Sequence, residues 1–155
     1  MAKRLLPLLL LLLCGCVKEP GRGVIFSAAP FTATGELTWQ GRAYAASLCM
    51  GDDGILTVSV KNGLLASPVV FYAGEKEEGM RLGDLSLRLP AGNGAPRNVA
   101  ACLRRALRSL EGVQSDKTGL WRGEGCSLSA DEAGRWQTLT LSGGLLRFAS
   151  VPAGP

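Results

Sequence analysis

The chain of 155 residues contains no histidine. That absence removes the commonest general base, the Ser-His and Cys-His nucleophile pairs, and zinc sites of the His-Glu-x-x-His kind. Also missing are Gly-x-Ser-x-Gly, Ser-x-x-Lys, the phosphate-cradling Gly-x-x-x-x-Gly-Lys and the dinucleotide-binding glycine fingerprint. No Cys-x-x-Cys occurs, so a zinc site of that type is not indicated. The acidic groups Asp52-Asp53 and Glu75-Glu77-Glu78 lack the ligand spacing of a calcium loop and read as solvated turns. The expectation is a protein that is not an enzyme, with no metal and no catalytic residue. Long apolar runs are also absent. The longest, Leu5 to Leu13, has nine residues, and at about 1.5 Å each it falls well short of a hydrocarbon layer of roughly 30 Å.

What the N-terminus does contain is an address. Lys3 and Arg4 precede the apolar run, and Leu13-Cys14-Gly15-Cys16 gives way to the polar Lys18-Glu19-Pro20. A charged start, a short apolar middle and a small residue before the cut are what export and cleavage require. The stretch resembles a bacterial lipoprotein signal peptide, with Leu13, Gly15 and Cys16 filling the lipobox positions. Cys14 is the poorer candidate, because Leu13 would then occupy the position that needs a small residue. The resemblance implies that residues 1–15 are removed and that Cys16 carries a diacylglyceryl group on its sulfur. Two acyl chains give stable anchoring where one gives only reversible binding. The expected location is therefore the extracytoplasmic face of a bacterial membrane. No cofactor is expected beyond this covalent lipid. Residues 16–29 are assigned to the lipidated cysteine and a tether, of which Val17 to Gly23, with Pro20, Gly21 and Gly23, reads as flexible.

Without Lys3 and Arg4, 15 of the 17 basic residues face 13 acidic ones, a net charge of +2. That balance argues against nucleic acid as a partner. Cys49, Cys102 and Cys126 remain after lipidation, too few and too far apart for a disulfide framework. At most one pair forms among them. The length suits one domain, placed at residues 30–151 with a tail at 152–155.

Phe31 to Trp39 alternates strictly, with Phe31, Ala33, Gly35, Leu37 and Trp39 on one face. That is a half-buried antiparallel strand. Gln40-Gly41 turns the chain into a second strand, Arg42 to Met50, and Gly51-Asp52-Asp53-Gly54 into a third, Ile55 to Lys61. Val69 to Ala73 follows, then a charged loop at Gly74 to Gly79. Met80 to Leu89 reads as one strand whose parity shifts at Gly83, a bulge or a second turn. Val99, Cys102, Leu103, Ala106, Leu107 and Leu110 form a single apolar stripe at helical spacing. Arg104, Arg105 and Arg108 lie off the stripe, and Gly112 caps the C-terminus. Leu120 to Leu128, Arg135 to Ser142 and Leu145 to Val151 complete about eight strands. The fold class is α+β, mainly antiparallel β.

The lipobox, the Phe31-Thr32-Ala33-x-Gly35 strand, the meander, the helix carrying Ala101-Cys102-Leu103-Arg104-Arg105-Ala106-Leu107 and the closing strands are together similar to small bacterial lipoproteins of the LolA/LolB-like superfamily. The resemblance spans roughly residues 30–151. It implies a strongly curved antiparallel sheet, an incomplete barrel with the main helix packed on its concave face. It also implies a membrane-anchored binding module for an apolar ligand, a lipid or acyl chain. The alternative it implies is an envelope lipoprotein that binds or localises a protein partner without a lipid cavity. Six aromatic residues, Trp39, Tyr44, Phe71, Trp121, Trp136 and Phe148, fall on expected strands, where a sheet uses them for its core. A groove left open by the single helix is expected to take its contacts from Trp39, Tyr44, Leu103, Leu107 and Trp121. Leu64-Leu65 is the candidate for a hydrophobic loop that meets a membrane or partner. Burying a leucine is worth about 1.5–3 kcal/mol, which predicts instead that these two tuck under the sheet.

Overall fold

The computed structural model describes residues 23–61, 63–92 and 98–150. The stretch expected to be a signal peptide, Cys16, the first part of the expected tether and the expected C-terminal tail lie outside them. In chain order the elements are β1 (Phe31–Trp39), β2 (Arg42–Met50), β3 (Leu56–Lys61), β4 (Val69–Ala73), β5 (Glu77–Leu82) and β6 (Leu85–Pro90). Then come α1 (Val99–Leu110), β7 (Leu120–Gly123), β8 (Cys126–Ala130), β9 (Trp136–Leu141) and β10 (Gly144–Ser150). All ten strands join one antiparallel sheet in the order β6-β5-β4-β3-β2-β1-β10-β9-β8-β7, curved and unclosed. The expected α+β class holds, with a single helix among the described residues.

Two expected strands are in fact hairpins, which is why ten strands replace eight. Gly83 has φ +55° and starts a two-residue turn, so Leu82 pairs Leu85 and Met80 pairs Leu87. A glycine at the first central position is what a type II′ hairpin turn needs. The parity shift in the sequence was this turn, and side chains on both sides of it face the same way. Glu124-Gly125 also makes a two-residue turn, between β7 and β8, where Gly123 pairs Cys126 and the positive φ, +66°, falls on the second central residue. The charged loop also shrinks to Gly74, Glu75 and Lys76, because β5 begins at Glu77.

Curvature has a local cause. The β1–β10 register slips between Thr34 and Gly35, and a side chain at Gly35 would stand 2.1 Å from the Arg147 carbonyl oxygen. The absent Cβ lets β10 cross close to β1 at this bulge and bend the sheet.

The helix carries the chain from one sheet edge, β6, to the other, β7, across the concave face. It touches β3 and β4 on one side and β7 and β9 on the other. Leu103, Leu107 and Leu110 press onto Leu37, Val58, Leu128, Leu139 and Leu146, and all of these are essentially inaccessible to solvent. Asn98 caps the helix, its side chain accepting from the backbone amides of Ala100 and Ala101. Cys102, expected on the apolar stripe, is only half-buried, and Ala100 takes a buried place instead.

The stretch assigned to the tether up to residue 29 belongs, from Gly23 onward, to the folded unit. Phe26 exchanges backbone hydrogen bonds with Val113 and Gly112, at 2.8 and 3.0 Å, and the Ser115 amide donates to the Val24 carbonyl at 2.9 Å. Ile25 forms an antiparallel bridge with Gln114. The reason is Phe26, whose buried ring sits beside Trp121 and Trp136 at centroid distances of 6.0 and 5.5 Å. An apolar anchor holds the strap down where glycine and proline composition pointed only to flexibility.

Candidate functional site

The helix starts at Val99, near β4, and leaves the concave face beyond its N-terminus uncovered. Strand parity decides what lies there. Leu37 and Trp39 from β1, Tyr44 from β2, Val60 from β3, and Val69 and Phe71 from β4 point inward and, with Val99, line an apolar groove of about 190 Å³. Phe71 also lines an adjoining apolar pocket of about 120 Å³ with Met80, Leu87 and Leu89 of the β5–β6 hairpin. The hairpin extends the same inward face to the sheet edge. There Leu85 is 74% and Leu87 51% exposed, values unusual for leucine on a concave face. Together they make a trough running from Trp39 to Leu87.

Of the residues expected to contact a ligand, Trp39 and Tyr44 meet in this groove. Leu103, Leu107 and Trp121 do not line it. The two leucines are among the helix's fully buried side chains. Trp121 is packed against Phe26 and donates its indole N–H to the Val24 carbonyl at 2.8 Å. Strand β7 turns Trp121 toward the core beneath the strap, so it is a structural residue. Phe71, Val69, Met80 and Leu87 were missed as site residues. The period-2 pattern placed them on an inward face, but their openness depends on where the helix ends.

Leu64 and Leu65 are 92% and 41% exposed, so they do not tuck under the sheet. They sit in the β3–β4 connection. Antiparallel order puts that connection at the same end of the sheet as the β1–β2 and β5–β6 turns, next to Trp39, Val60, Val69 and Leu82. The groove and the exposed leucines therefore share one rim.

Below the trough, toward the β4–β5 loop, the lining changes from apolar to charged. Glu78 lines both the β5–β6 pocket and a second, open cleft of about 590 Å³ formed with Glu75, Arg104, Arg105 and Arg108. Glu75 is ion-paired with Arg108, whose hydrogen bond and charge hold the carboxyl below the usual range. Burial pushes the Arg104 guanidinium down and the Cys102 thiol up. The latter makes Cys102 a poor nucleophile. Cys49, Cys102 and Cys126 are all free thiols. Among the described residues there is no cluster of acidic, cysteine or histidine side chains suited to a metal ion, and no helix is long and apolar enough to cross a membrane.

No family model matches the chain, and no match was found among curated proteins or among solved structures.

Proposed function

We propose that the chain is a membrane-anchored, non-enzymatic binding module whose trough takes a single apolar chain of the acyl type. The observation that carries this reading is the inward-facing apolar surface from Trp39 to Leu87 that the helix leaves uncovered. Volume narrows the ligand. A dry cavity of about 150 Å³ holds one benzene-sized group, and drug-sized ligands occupy roughly 300–1,000 Å³. The groove of about 190 Å³ suits one chain segment, not the several acyl chains of a whole lipoprotein. The lipobox-like stretch at Cys16 supports the address, since it would keep the domain within reach of a bilayer where such chains are found. The LolA/LolB-like resemblance supports the same reading through the ligand class of that family's carriers.

The test is calorimetric titration of the full chain with dodecanol, below its solubility limit, with Trp39→Gln and Val69→Asn as groove variants. Each variant loses part of an apolar contact worth about 1.5–3 kcal/mol and should weaken binding about tenfold, with the thermal midpoint checked to show that the fold persists. No heat with the unaltered chain, or full binding by both variants, would sink the reading.

A second reading is favoured by Leu64 and Leu65, exposed on the same rim. In it the rim meets an envelope protein and the trough receives that protein's apolar side chains. Crosslinking from position 64 in intact cells separates the two. A single reproducible protein adduct supports the partner, and lipid adducts support the carrier.

A further inference from the structure

The charged cleft beside the trough holds two polar atoms that have no hydrogen-bond partner among the described residues. Glu78 is 4% exposed, and its Oε1 is inaccessible to solvent and lacks a hydrogen-bond partner. The Nη2 of Arg104 is equally inaccessible and equally unpartnered. Glu75 Oε1 stands 3.8 Å from it, close enough for charge attraction and too far for a hydrogen bond. The rest of Arg104 is fixed, because its Nε donates to the Gly54 carbonyl at 2.9 Å. A guanidinium tethered at one nitrogen and idle at another is preorganised for a ligand. Arg105 borders the same cleft, is exposed, and its side chain makes no hydrogen bond or ion pair among the described residues. Arg108 is occupied by Glu75. Three arginines against two glutamates leave one positive charge in surplus.

These features select a ligand. Surplus positive charge and forked N–H donors call for an anion. The buried Glu78 oxygen calls for a donor beside that anion, because a carboxylate accepts and does not donate. A fatty acid headgroup supplies the charge without the donor, whereas a phosphoryl ester bearing a hydroxyl supplies both. Position supplies the last constraint. Glu78 lines the cleft and the apolar pocket alike, so one molecule with a polar and an apolar end spans both. Resting on the acyl-chain reading of the trough, we propose that the cleft is a headgroup site for a phosphoryl group, with Arg104 and Arg105 donating to its oxygens and Glu78 accepting from an adjacent hydroxyl.

Calorimetric titration of the full chain with three probes tests this: 1-lauroyl lysophosphatidylglycerol, dodecanol and inorganic phosphate, the first kept below its micelle concentration. The expected result is that the lysophospholipid binds about tenfold tighter than dodecanol, the return of one or two charge-assisted hydrogen bonds. Arg105→Gln, on an exposed side chain, should abolish that advantage and leave dodecanol binding unchanged. Glu78→Gln, with its fold checked by thermal midpoint, should narrow the advantage without removing it, because an amide oxygen still accepts from the hydroxyl but more weakly than a carboxylate does. Equal binding of lysophospholipid and dodecanol, or an inert Arg105→Gln, would overturn the proposal while leaving the trough reading intact. Phosphate binding that Arg105→Gln removes, without any advantage for the lysophospholipid, would assign the cleft to free phosphate and overturn the lipid headgroup. Phosphate binding with no dodecanol binding would instead sink the trough and keep the phosphoryl site.

Discussion

Asn98 joins two structures with one side chain. Its Oδ1 accepts from the Ala100 and Ala101 amides at 3.0 and 3.2 Å, and its Nδ2 donates to the Tyr72 and Gly79 carbonyls at 3.3 and 3.4 Å. The first pair satisfies the helix N-terminus; the second fixes where that terminus sits on the sheet, and so where the trough begins. Asn98→Ala should lower the unfolding free energy by about 1–2 kcal/mol in urea titration, the usual worth of a cap. Asn98→Asp should recover most of the cap but not the donors. A neutral Asn98→Ala would show that the helix start is held by packing alone. The apolar stripe does not mark this residue, which contributes nothing to it; the signal that could have found it is an asparagine directly before the first periodic position, Val99. Glu78 was hidden. Composition places it in a solvated loop with Glu75, yet three more residues of β5 pairing, Glu77 to Gly79, turn it inward to face the cleft.

At the scale of elements, two aspartates set the turns that launch β7 and β9. Asp116 accepts from the Thr118 hydroxyl and amide and from the Leu120 amide, at 2.6 to 3.2 Å. Asp131 accepts from the Ala133 and Arg135 amides and from the Arg135 and Gln137 side chains. The Thr118 hydroxyl bond in one turn and the Arg135 backbone bond in the other hold both carboxyls below their ordinary value of 3.8. A depressed folded-state pKa means stability that is whole above the ordinary value and is lost as pH falls through the lower one. Denaturation midpoints should therefore stay level down to about pH 5 and fall below it, with the doubly substituted Asp116→Asn, Asp131→Asn chain falling less. A wild-type midpoint unchanged down to about pH 2 would contradict this. Most strand bounds were legible, because alternation in Phe31–Trp39 and Arg42–Met50 has only one solution. The hairpin at Gly83 was legible only as one of two readings, a bulge or a turn, and the one at Glu124-Gly125 not at all. A two-residue turn leaves the same number of residues in the pattern as a bulge does, and only pairing tells them apart.

For the molecule as a whole, the sheet stays open because the helix crosses from one edge strand to the other and fills only part of the concavity. The strap closes the opposite end. Phe26, Phe31, Trp121, Trp136 and Phe148 form a chain of ring contacts there, with centroids 5.0 to 6.0 Å apart. Phe26→Ala should therefore cost about 3–5 kcal/mol of global stability, as for other buried aromatic truncations, read as a shifted urea midpoint. If the midpoint held and only local amide exchange rose at residues 112–115, the strap would be an appendage to the fold. The division of aromatics follows from this arrangement. Those at the strap's end pack the core, whereas Trp39, Tyr44 and Phe71 stand at the end the helix does not reach.

By itself the sequence determined the class of the fold, the single helix with its buried face, and the absence of histidine chemistry. These depend on period and composition, which are properties of the chain read locally. It also carried the address at Cys16 as an expectation. Only the tertiary structure decided which apolar residues are core and which are site. Leu103 and Trp39 look alike in a pattern, and their difference is the distance from the end of a twelve-residue helix lying across a bent sheet. The strap and the meeting of charged cleft with apolar trough at Glu78 were decided there too, since each joins segments far apart in the chain, and local patterning carries no information about which distant surfaces will meet.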